Sequence, residues 1–322
     1  MLHPRIVSGD AAIEKACLAL AAGRLVGMPT ETVYGLAADA ADPEAVARLY
    51  AAKGRPSFNP LIAHVAFIDM AGTEGQLDER TQALAARFWP GPLTMVVPVH
   101  PEGTSAELAR AGLETLGLRV PAHPVAQALL QAYGRPVVAP SANPSGRLSP
   151  TSASDVAEAF GQEVDLVVEG GRCEAGIEST IISLLPDEPP RLLRPGAIAA
   201  EDIEAVVGKL EDAEPGEISA PGQLSSHYAP NAEIRLNATE FSADEVPLGF
   251  GPEAPEGALN LSSAGDTVEA AANLYQYLRE LDATGARRIA VMPIPETGLG
   301  LAINDRLSRA AAPRPDGEPT LH

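Results

Sequence analysis

Residues 11–29, AAIEKACLALAAGRLVGMP, read as one helix followed by one strand. The alanine-rich stretch 11–23 is closed by Gly23, and the short strand RLVGM ends at Pro29. The same alternation continues outward. A helix over 46–52 puts Leu49 and Tyr50 on its apolar side and precedes the strand LIAHVAF (61–67). A helix over 77–88 stops at the WPGP turn, and TMVVPV (94–99) is the next strand. GLRV (117–120) and PVVA (136–139) flank a helix over 124–133, and a helix over 151–160 leads to DLVVEG and STIISLL (179–185). Strands alternating with helices place the chain in the α/β class.

The 322 residues suit two domains at ~150 residues each. Composition shifts after Arg194-Pro195-Gly196: a helix over 200–210 runs into EDAEPGEISAPGQLSS, a Pro, Gly, Ser and acid-rich stretch that reads as a linker. Beyond it EIRL, VPLGF, a helix over 267–282, RIAVM and a helix over 300–311 form a second, smaller α/β unit, and APRPDGEPTLH reads as a frayed tail. The expected organisation is a first domain over 1–205, a linker over 206–232 and a second domain over 233–322.

With 23 basic against 43 acidic residues the formal charge is −20. That disfavours a general nucleic-acid binder or a ligand of anionic membranes, since both need a surplus of Lys and Arg. A small anion held by a few local cations is compatible with it. Residues 1–200 carry 15 basic and 22 acidic groups and the remainder 8 and 21, so an anion site belongs in the first domain. No apolar run reaches transmembrane length, and the start MLHPRIVSGDAAIEKA lacks the form of a signal peptide. Cys17 and Cys173 form neither a metal spacing nor a disulfide framework. The expectation is a soluble cytoplasmic protein.

Six segments carry the polar chemistry. In PTETVYGLAADA (29–40), Thr30, Thr32 and Tyr34 alternate; on an extended backbone they form a row of hydroxyls, or else a solvated edge. AKGRPSFNPL (52–61) sets Lys53 and Arg55 two residues apart, with Asn59 following, in a turn stiffened by Gly54 and Pro56. Two such cations can face one phosphate, Arg as a fork and Lys as a point charge. Only Lys15, Lys53 and Lys209 are lysines among the basic residues, which makes Lys53 more conspicuous. GLETLGLRVPAHP (112–124) places Thr115 and Arg119 near the two ends of a strand, and APSANPSGRLSP (139–150) projects Ser141 and Asn143 from a strand's carboxyl end. GIESTIISL (176–184) adds Ser179 and Thr180, and LLRPG adds Arg194.

No P-loop, dinucleotide-binding glycine pattern, nucleophile elbow or H-E-x-x-H occurs. The six histidines show no metal spacing, so no protein-held metal is expected, and His64 and His123 read as structural. Glu31 and Glu178 stand as isolated carboxylates, and the 13 aromatic residues form no stacking platform. From spacing alone the chain is an α/β protein with a polar, locally cationic cleft, and no reaction follows.

As an ordered set, PTETVYGL, AAKGRPSFNPL, RFWPGPLT, GLRVPAHP, APSANPSG, GIESTII and LLRPG resemble the threonylcarbamoyl-AMP synthase family. APGQLSSHYAP (220–230) and ETGLGLAINDRLSRA (296–310) resemble the linker and second domain of its longer form. The resemblance implies a YrdC-like twisted sheet with a concave cleft, followed by a Rossmann-like domain. It implies a reaction of ATP, L-threonine and bicarbonate giving threonylcarbamoyl-AMP, pyrophosphate and water. A separate transferase complex then passes the group to a tRNA adenosine beside the anticodon.

By the same resemblance Lys53, Arg55 and Asn59 hold the phosphates, together with a Mg²⁺ carried on the ATP, and Lys53 and Arg55 serve catalysis. Thr115, Ser141, Asn143, Ser149 and Arg194 are further nucleotide contacts. Thr32, His64, Arg119, Ser179 and the backbone at Ala139 form the threonine pocket. His227 and Tyr228 lie over the cleft as a lid. The linker departs from the pattern: LSSHYAP lacks the basic residue that many relatives carry before the His-Tyr pair. The competing readings are an RNA-binding translation factor, which the net charge opposes, and a carbamoyltransferase-type module. No tight tRNA binding and no membrane partner are expected.

Overall fold

The computed structural model describes residues 5–213, 219–222 and 227–313. The residues just before His227 in LSSHYAP, and the tail beyond residue 313, lie outside the described residues. The strands of the first sheet are β1 (Arg5–Val7), β2 (Val26–Met28), β3 (Gly35–Asp39), β4 (Ile62–His64), β5 (Leu93–Pro98), β6 (Thr115–Arg119), β7 (Val137–Val138), β8 (Leu166–Val168), β9 (Thr180–Ser183), β10 (Arg191–Arg194) and β11 (Glu211–Asp212). They form one mixed sheet in the order β1-β8-β2-β3-β7-β4-β6-β5-β9-β10-β11. Among the described residues seven α-helices accompany it: α1 (Asp10–Ala21), α2 (Pro43–Lys53), α3 (Ile68–Glu74), α4 (Glu79–Phe88), α5 (Pro124–Tyr133), α6 (Ala153–Phe160) and α7 (Ala200–Val207).

The twofold period of the strands decides which half of the sheet stays polar. Leu93, Met95 and Val97 of β5 and Leu116 and Leu118 of β6 join the apolar cluster that also holds Leu84 and Ile203 from α4 and α7. The alternate residues Ile62, Val96, Ile181 and Leu193 face the other way and cluster with Ala220 of the linker. Thr94, Gly117, Arg119 and His64 therefore share the face opposite α4 and α7. The parallel register pairs His64 of β4 directly with Arg119 of β6.

A second sheet has β12 (Glu233–Arg235), β13 (Glu245–Gly249), β14 (Leu259–Asn260) and β15 (Arg288–Val291), all parallel, in the order β12-β15-β13-β14. It is accompanied by α8 (Thr267–Ala283) and α9 (Leu299–Ala311). Ile177 and Tyr228 belong to the apolar cluster of this unit, alongside Leu274, Tyr275 and Ile303. Gly176 makes the approach close, because a Cβ there would lie 2.5 Å from the Ala272 backbone of α8.

The helix signals read from the sequence mark real ends. Asp42 caps α2 by accepting from the Glu44 and Ala45 amides, Pro43 opens the helix, and left-handed Gly54 closes it. His123 caps α5 through its side chain, the structural role expected of it. PTETVYGLAADA departs from the expected extended row. Pro29 to Tyr34 follow a bend in which Thr30 Oγ1 donates to the Val33 carbonyl, and GLAAD is strand β3. LIAHVAF yields a strand over only Ile62–His64, because α3 begins at Ile68.

Candidate active site

A narrow cavity of about 40 Å³ lies on the polar face of the sheet, walled by the bend after β2, the ends of β4 and β6, the loop after β7, the start of β9 and the later half of the linker. Of the residues expected at the site, Thr32, Arg55, His64, Arg119, Ala139, Ser141, Ser179, Arg194, His227 and Tyr228 line it. Val33, Ile62, Pro140, Glu178, Pro221 and Gly222 complete the wall.

At one end Arg119 is held on three sides. Its Nη2 donates to Glu31 Oε1 at 2.6 Å, its Nη1 to Thr32 Oγ1 at 2.9 Å and its Nε to the Gly91 carbonyl at 3.3 Å. Thr32 Oγ1 is also 2.8 Å from Thr30 Oγ1. Tyr34 leaves this row: its hydroxyl donates to the Gly171 carbonyl and accepts from the Gly170 amide. Beside Arg119, burial pushes the His64 imidazole down to about 3, and the Arg119 charge adds to that, so the ring is neutral.

At the other end stand Arg55 and Arg194. Arg55 Nη2 donates to Asn59 Oδ1 at 2.7 Å and to the Pro60 carbonyl at 2.8 Å, so Asn59 acts as a brace for the guanidinium. Arg194 donates to the Ser179 carbonyl and to Ser179 Oγ, which itself is 2.8 Å from Thr94 Oγ1. Gly196 permits this contact, since a Cβ there would lie 2.4 Å from the Ser179 carbonyl carbon and the Thr180 nitrogen. Burial lowers the Arg55 and Arg194 groups, yet Arg55 falls only to about 10 and stays charged.

Lys53 is not in the cavity wall. Its Nζ donates to the Ser141 carbonyl at 2.6 Å and to the Asn143 carbonyl, fastening the loop after β7 from behind. Burial drives its ammonium well below the usual lysine range, and the Arg55 charge works in the same direction. Asn143 turns its side chain to the Pro144 and Arg147 carbonyls, and Ser149 donates to Glu178 Oε1 at 2.6 Å. Thr115 opens on a separate cavity of about 200 Å³, lined also by Glu114, Ser183, Arg191 and Ser219. Ala220, packed with Val96, Ile181 and Leu193, lies on the same sheet face between these two cavities.

Glu178 read as an isolated carboxylate in the sequence, but it is a hub. Besides Ser149 it accepts from Tyr275 of α8 at 2.9 Å and from Arg306 Nε of α9 at 2.9 Å. Burial by itself raises its pKa; the Arg306 and Arg194 charges outweigh this and hold it down at about 2. No local signal in GIEST or NDRLSRA announces a pair 128 residues apart. Glu31 was missed for the same reason. Among the described residues no group of three or more His, Cys, Asp or Glu gathers as a metal site.

A family model described as telomere recombination matches residues 18–196, and one described as threonylcarbamoyl-AMP synthase, C-terminal domain, matches residues 198–312. The chain is 41% identical over 314 residues to the threonylcarbamoyl-AMP synthase of Pyrococcus abyssi, covering 91% of this chain and 92% of that protein. It belongs to the threonylcarbamoyl-AMP synthase family. The Bacillus subtilis synthase is 40% identical and covers 95% of each chain. The crystal structure of Pyrococcus abyssi Sua5 complexed with L-threonine superposes with a TM-score of 0.86 at 37% identity, covering 95% of this chain and 97% of that one. Escherichia coli YciO, at 23% identity and a TM-score of 0.54 over 61% of this chain, shares the fold of the first unit. Synthase-family membership thus extends over both sheets, in agreement with the YrdC-like and second α/β units expected.

Proposed function

We propose that the chain makes threonylcarbamoyl-AMP from L-threonine, bicarbonate and ATP, releasing water and pyrophosphate. The observation that carries this reading is one cavity with two cationic ends, Arg119 beside His64 and Thr32, and Arg55 beside Arg194. The first end suits an amino-acid carboxylate and the second a polyphosphate. The threonine-bound Pyrococcus abyssi relative supports threonine as the substrate.

The threonine amine and bicarbonate condense to a carbamate with loss of water. A carbamate oxygen then attacks the α-phosphorus, and pyrophosphate leaves with the electron pair of the broken P–O bond. Both reactants are anions, so the protein's task is to align them and screen their charge. Arg119, oriented by Glu31, takes the threonine carboxylate. Neutral His64 offers a hydrogen bond without adding a like charge next to Arg119. Arg55, braced by Asn59, and Arg194 meet the phosphates, while Lys53 and Asn143 shape the Ser141 loop around them and Ser149 steadies Glu178. Thr115 contacts the nucleotide only after the linker lifts, since Ala220 lies between the two cavities.

Mg²⁺, with its preference for phosphate oxygens, would ride on the ATP phosphates beside Arg55 and Arg194 and would supply screening of their charge. Glu178, the carboxylate in the wall, is already engaged by Ser149, Tyr275 and Arg306. A cavity of about 40 Å³ holds a few waters, far less than ATP and threonine. Pro221, Gly222, His227 and Tyr228 therefore act as a lid that opens for substrates and closes to exclude water from carbamate and adenylate.

The product goes to a separate transferase complex acting on tRNA, and the synthase works in the cytoplasm. Among the described residues no helix is long and apolar enough to cross a membrane. Lys53, Arg55, Arg119 and Arg194 are all buried, which disfavours the RNA-binding reading because a polyanion cannot reach them. The deciding experiment is pyrophosphate release from ATP. It should require threonine and bicarbonate together; equal release with serine, or with no amino acid, would sink the assignment.

A further inference from the structure

The motif NDRLSRA in α9 has no part in the mechanism so far, yet its Arg306 is among the largest fully buried side chains of the molecule. We infer that Arg306 is a positioning residue of the synthase reaction: it neutralises Glu178 in the cavity wall and holds the lid residue Tyr228 over the substrates. This inference rests on the synthase reading above.

Arg306 joins three parts of the site. Its Nε donates to Glu178 Oε2 at 2.9 Å, one residue before Ser179, which receives Arg194. Its Nη1 donates to the Pro195 carbonyl at 2.8 Å, one residue after Arg194, and to Asp305 Oδ2 at 2.8 Å. The guanidinium carbon stands 5.3 Å from the centroid of the Tyr228 ring, within cation–π range. Tyr228 is held at φ 62°, a left-handed conformation that a bulky residue keeps only when its surroundings impose it. Those surroundings come largely from the C-terminal unit. The Tyr275 ring lies 5.7 Å from that of Tyr228, and the His227 amide donates to the Arg309 carbonyl of α9 at 3.2 Å.

Packing alone does not account for the choice of residue. A buried ion pair is costly to desolvate, and an apolar side chain of the same volume generally serves a core as well. The pair makes sense beside this cavity. Glu178 is a carboxylate in the wall of a site that must hold a triphosphate and a carbamate, and without a partner cation it would repel both. Arg306 cancels that charge from outside the cavity, with one face of its guanidinium left for Tyr228. The C-terminal unit thereby acts in catalysis through the lid rather than by touching substrate. When the lid is loose, water cleaves threonylcarbamoyl-AMP to AMP and the carbamate, which loses carbon dioxide and returns threonine.

The test uses the full chain and the variants Arg306→Lys and Arg306→Gln, with two readouts. Hydrogen exchange reads the His227 and Ala229 amides, which donate to the Arg309 and Gly146 carbonyls. Product analysis reads threonylcarbamoyl-AMP recovered per pyrophosphate released. In both variants the two amides should exchange at least about tenfold faster, while β5, β6 and β15 keep their protection. Product per pyrophosphate should fall at least about threefold, and further in Arg306→Gln, which removes the cation hydrogen-bonded to Glu178. Unchanged local exchange with an unchanged product ratio overturns the inference. So does a uniform loss of protection or an unfolded chain, since Arg306 would then be only structural. If the unaltered chain itself releases no pyrophosphate with threonine and bicarbonate, the synthase reading has failed instead, and the exchange readout still reports on the lid.

Discussion

Nη2 of Arg119 lies 2.6 Å from Oε1 of Glu31, with both side chains almost wholly withdrawn from solvent. Glu31 Oε2 also accepts from the Ala122 amide at 3.1 Å, so the carboxylate is tied to the turn that follows β6. The cation expected to meet the threonine carboxylate is thus oriented in advance by an anion behind it. Arg119→Ala should weaken threonine about ten- to a hundredfold, the worth of one charge-assisted hydrogen bond. The KM for ATP should change far less. Steady-state pyrophosphate release with each substrate varied checks this, and a loss confined to ATP would reverse the assignment of the two ends.

Lys53 and Arg55 should fail in different ways. Arg55→Ala removes a cation from the cavity wall and should raise the KM for ATP, with some loss of stability as well because the Asn59 and Pro60 carbonyls are released. Lys53→Ala releases the Ser141 and Asn143 carbonyls and should lower both stability and turnover. The expected stability loss is about 1–3 kcal/mol, read from denaturant unfolding. A Lys53→Ala variant with the melting temperature of the unaltered chain would count against the fastening role given to Lys53.

The buried histidines set the acid limit of the fold. His64 and His227 are each held by burial at about 3, against 6.5 for the free imidazole. Below pH 6.5 the unfolded chain takes up protons that the native chain refuses. Stability is therefore full above that pH and is lost as pH falls from 6.5 toward 3, at up to about 1.4 kcal/mol per pH unit per histidine. Glu178, held at about 2 against 4.5, adds a further loss between those two values. Urea midpoints at pH 7.5, 6 and 5 should decline in that order; a flat series would show that these rings are solvated.

Gly196→Ala should be among the most damaging single-atom changes. The added Cβ would stand 2.4 Å from backbone atoms of Ser179 and Thr180, which cannot rotate aside. A destabilisation of at least about 2 kcal/mol and weaker threonine binding are expected, measured by unfolding and by calorimetric titration. A variant with unaltered stability would mean that Arg194 and Ser179 do not depend on this close approach.

Transfer RNA should bind weakly at most. With the cleft cations buried and a formal charge of −20, the log–log salt dependence of any tRNA binding should have a slope near zero. A steep slope would point to a cationic surface elsewhere and revive the RNA-binding reading.

Much of this molecule is legible residue by residue. Alternation along β5 and β6 tells which side chains meet the helices, and Asp42-Pro43 with Gly54 marks both ends of α2. The polar segments chosen from the chain converge on one cavity, because loops at strand ends are what an open sheet leaves free for a ligand. The misreadings have local causes. The row Thr30, Thr32 and Tyr34 assumed an extended backbone where the Thr30 hydroxyl closes a bend. Lys53 was expected to face a phosphate because only its neighbour in sequence was in view, and not the carbonyls of the Ser141 loop 88 residues away.

By itself the sequence determined the α/β class, the two units, the sites of the polar loops and the placement of the acidic surplus outside the cleft. Each of these depends on periodicity, capping or composition within a few residues. Tertiary structure alone decided that Glu31 stands behind Arg119, that Ala220 lies between the cavity at Thr32 and the one at Thr115, and that Arg306 reaches Glu178. Those relations arise from strand register and from the approach of α8 and α9 to the loop residues Gly176, Glu178 and Pro195 of the first unit. A side chain carries its own charge in the sequence, but its partner is chosen only when the chain has folded.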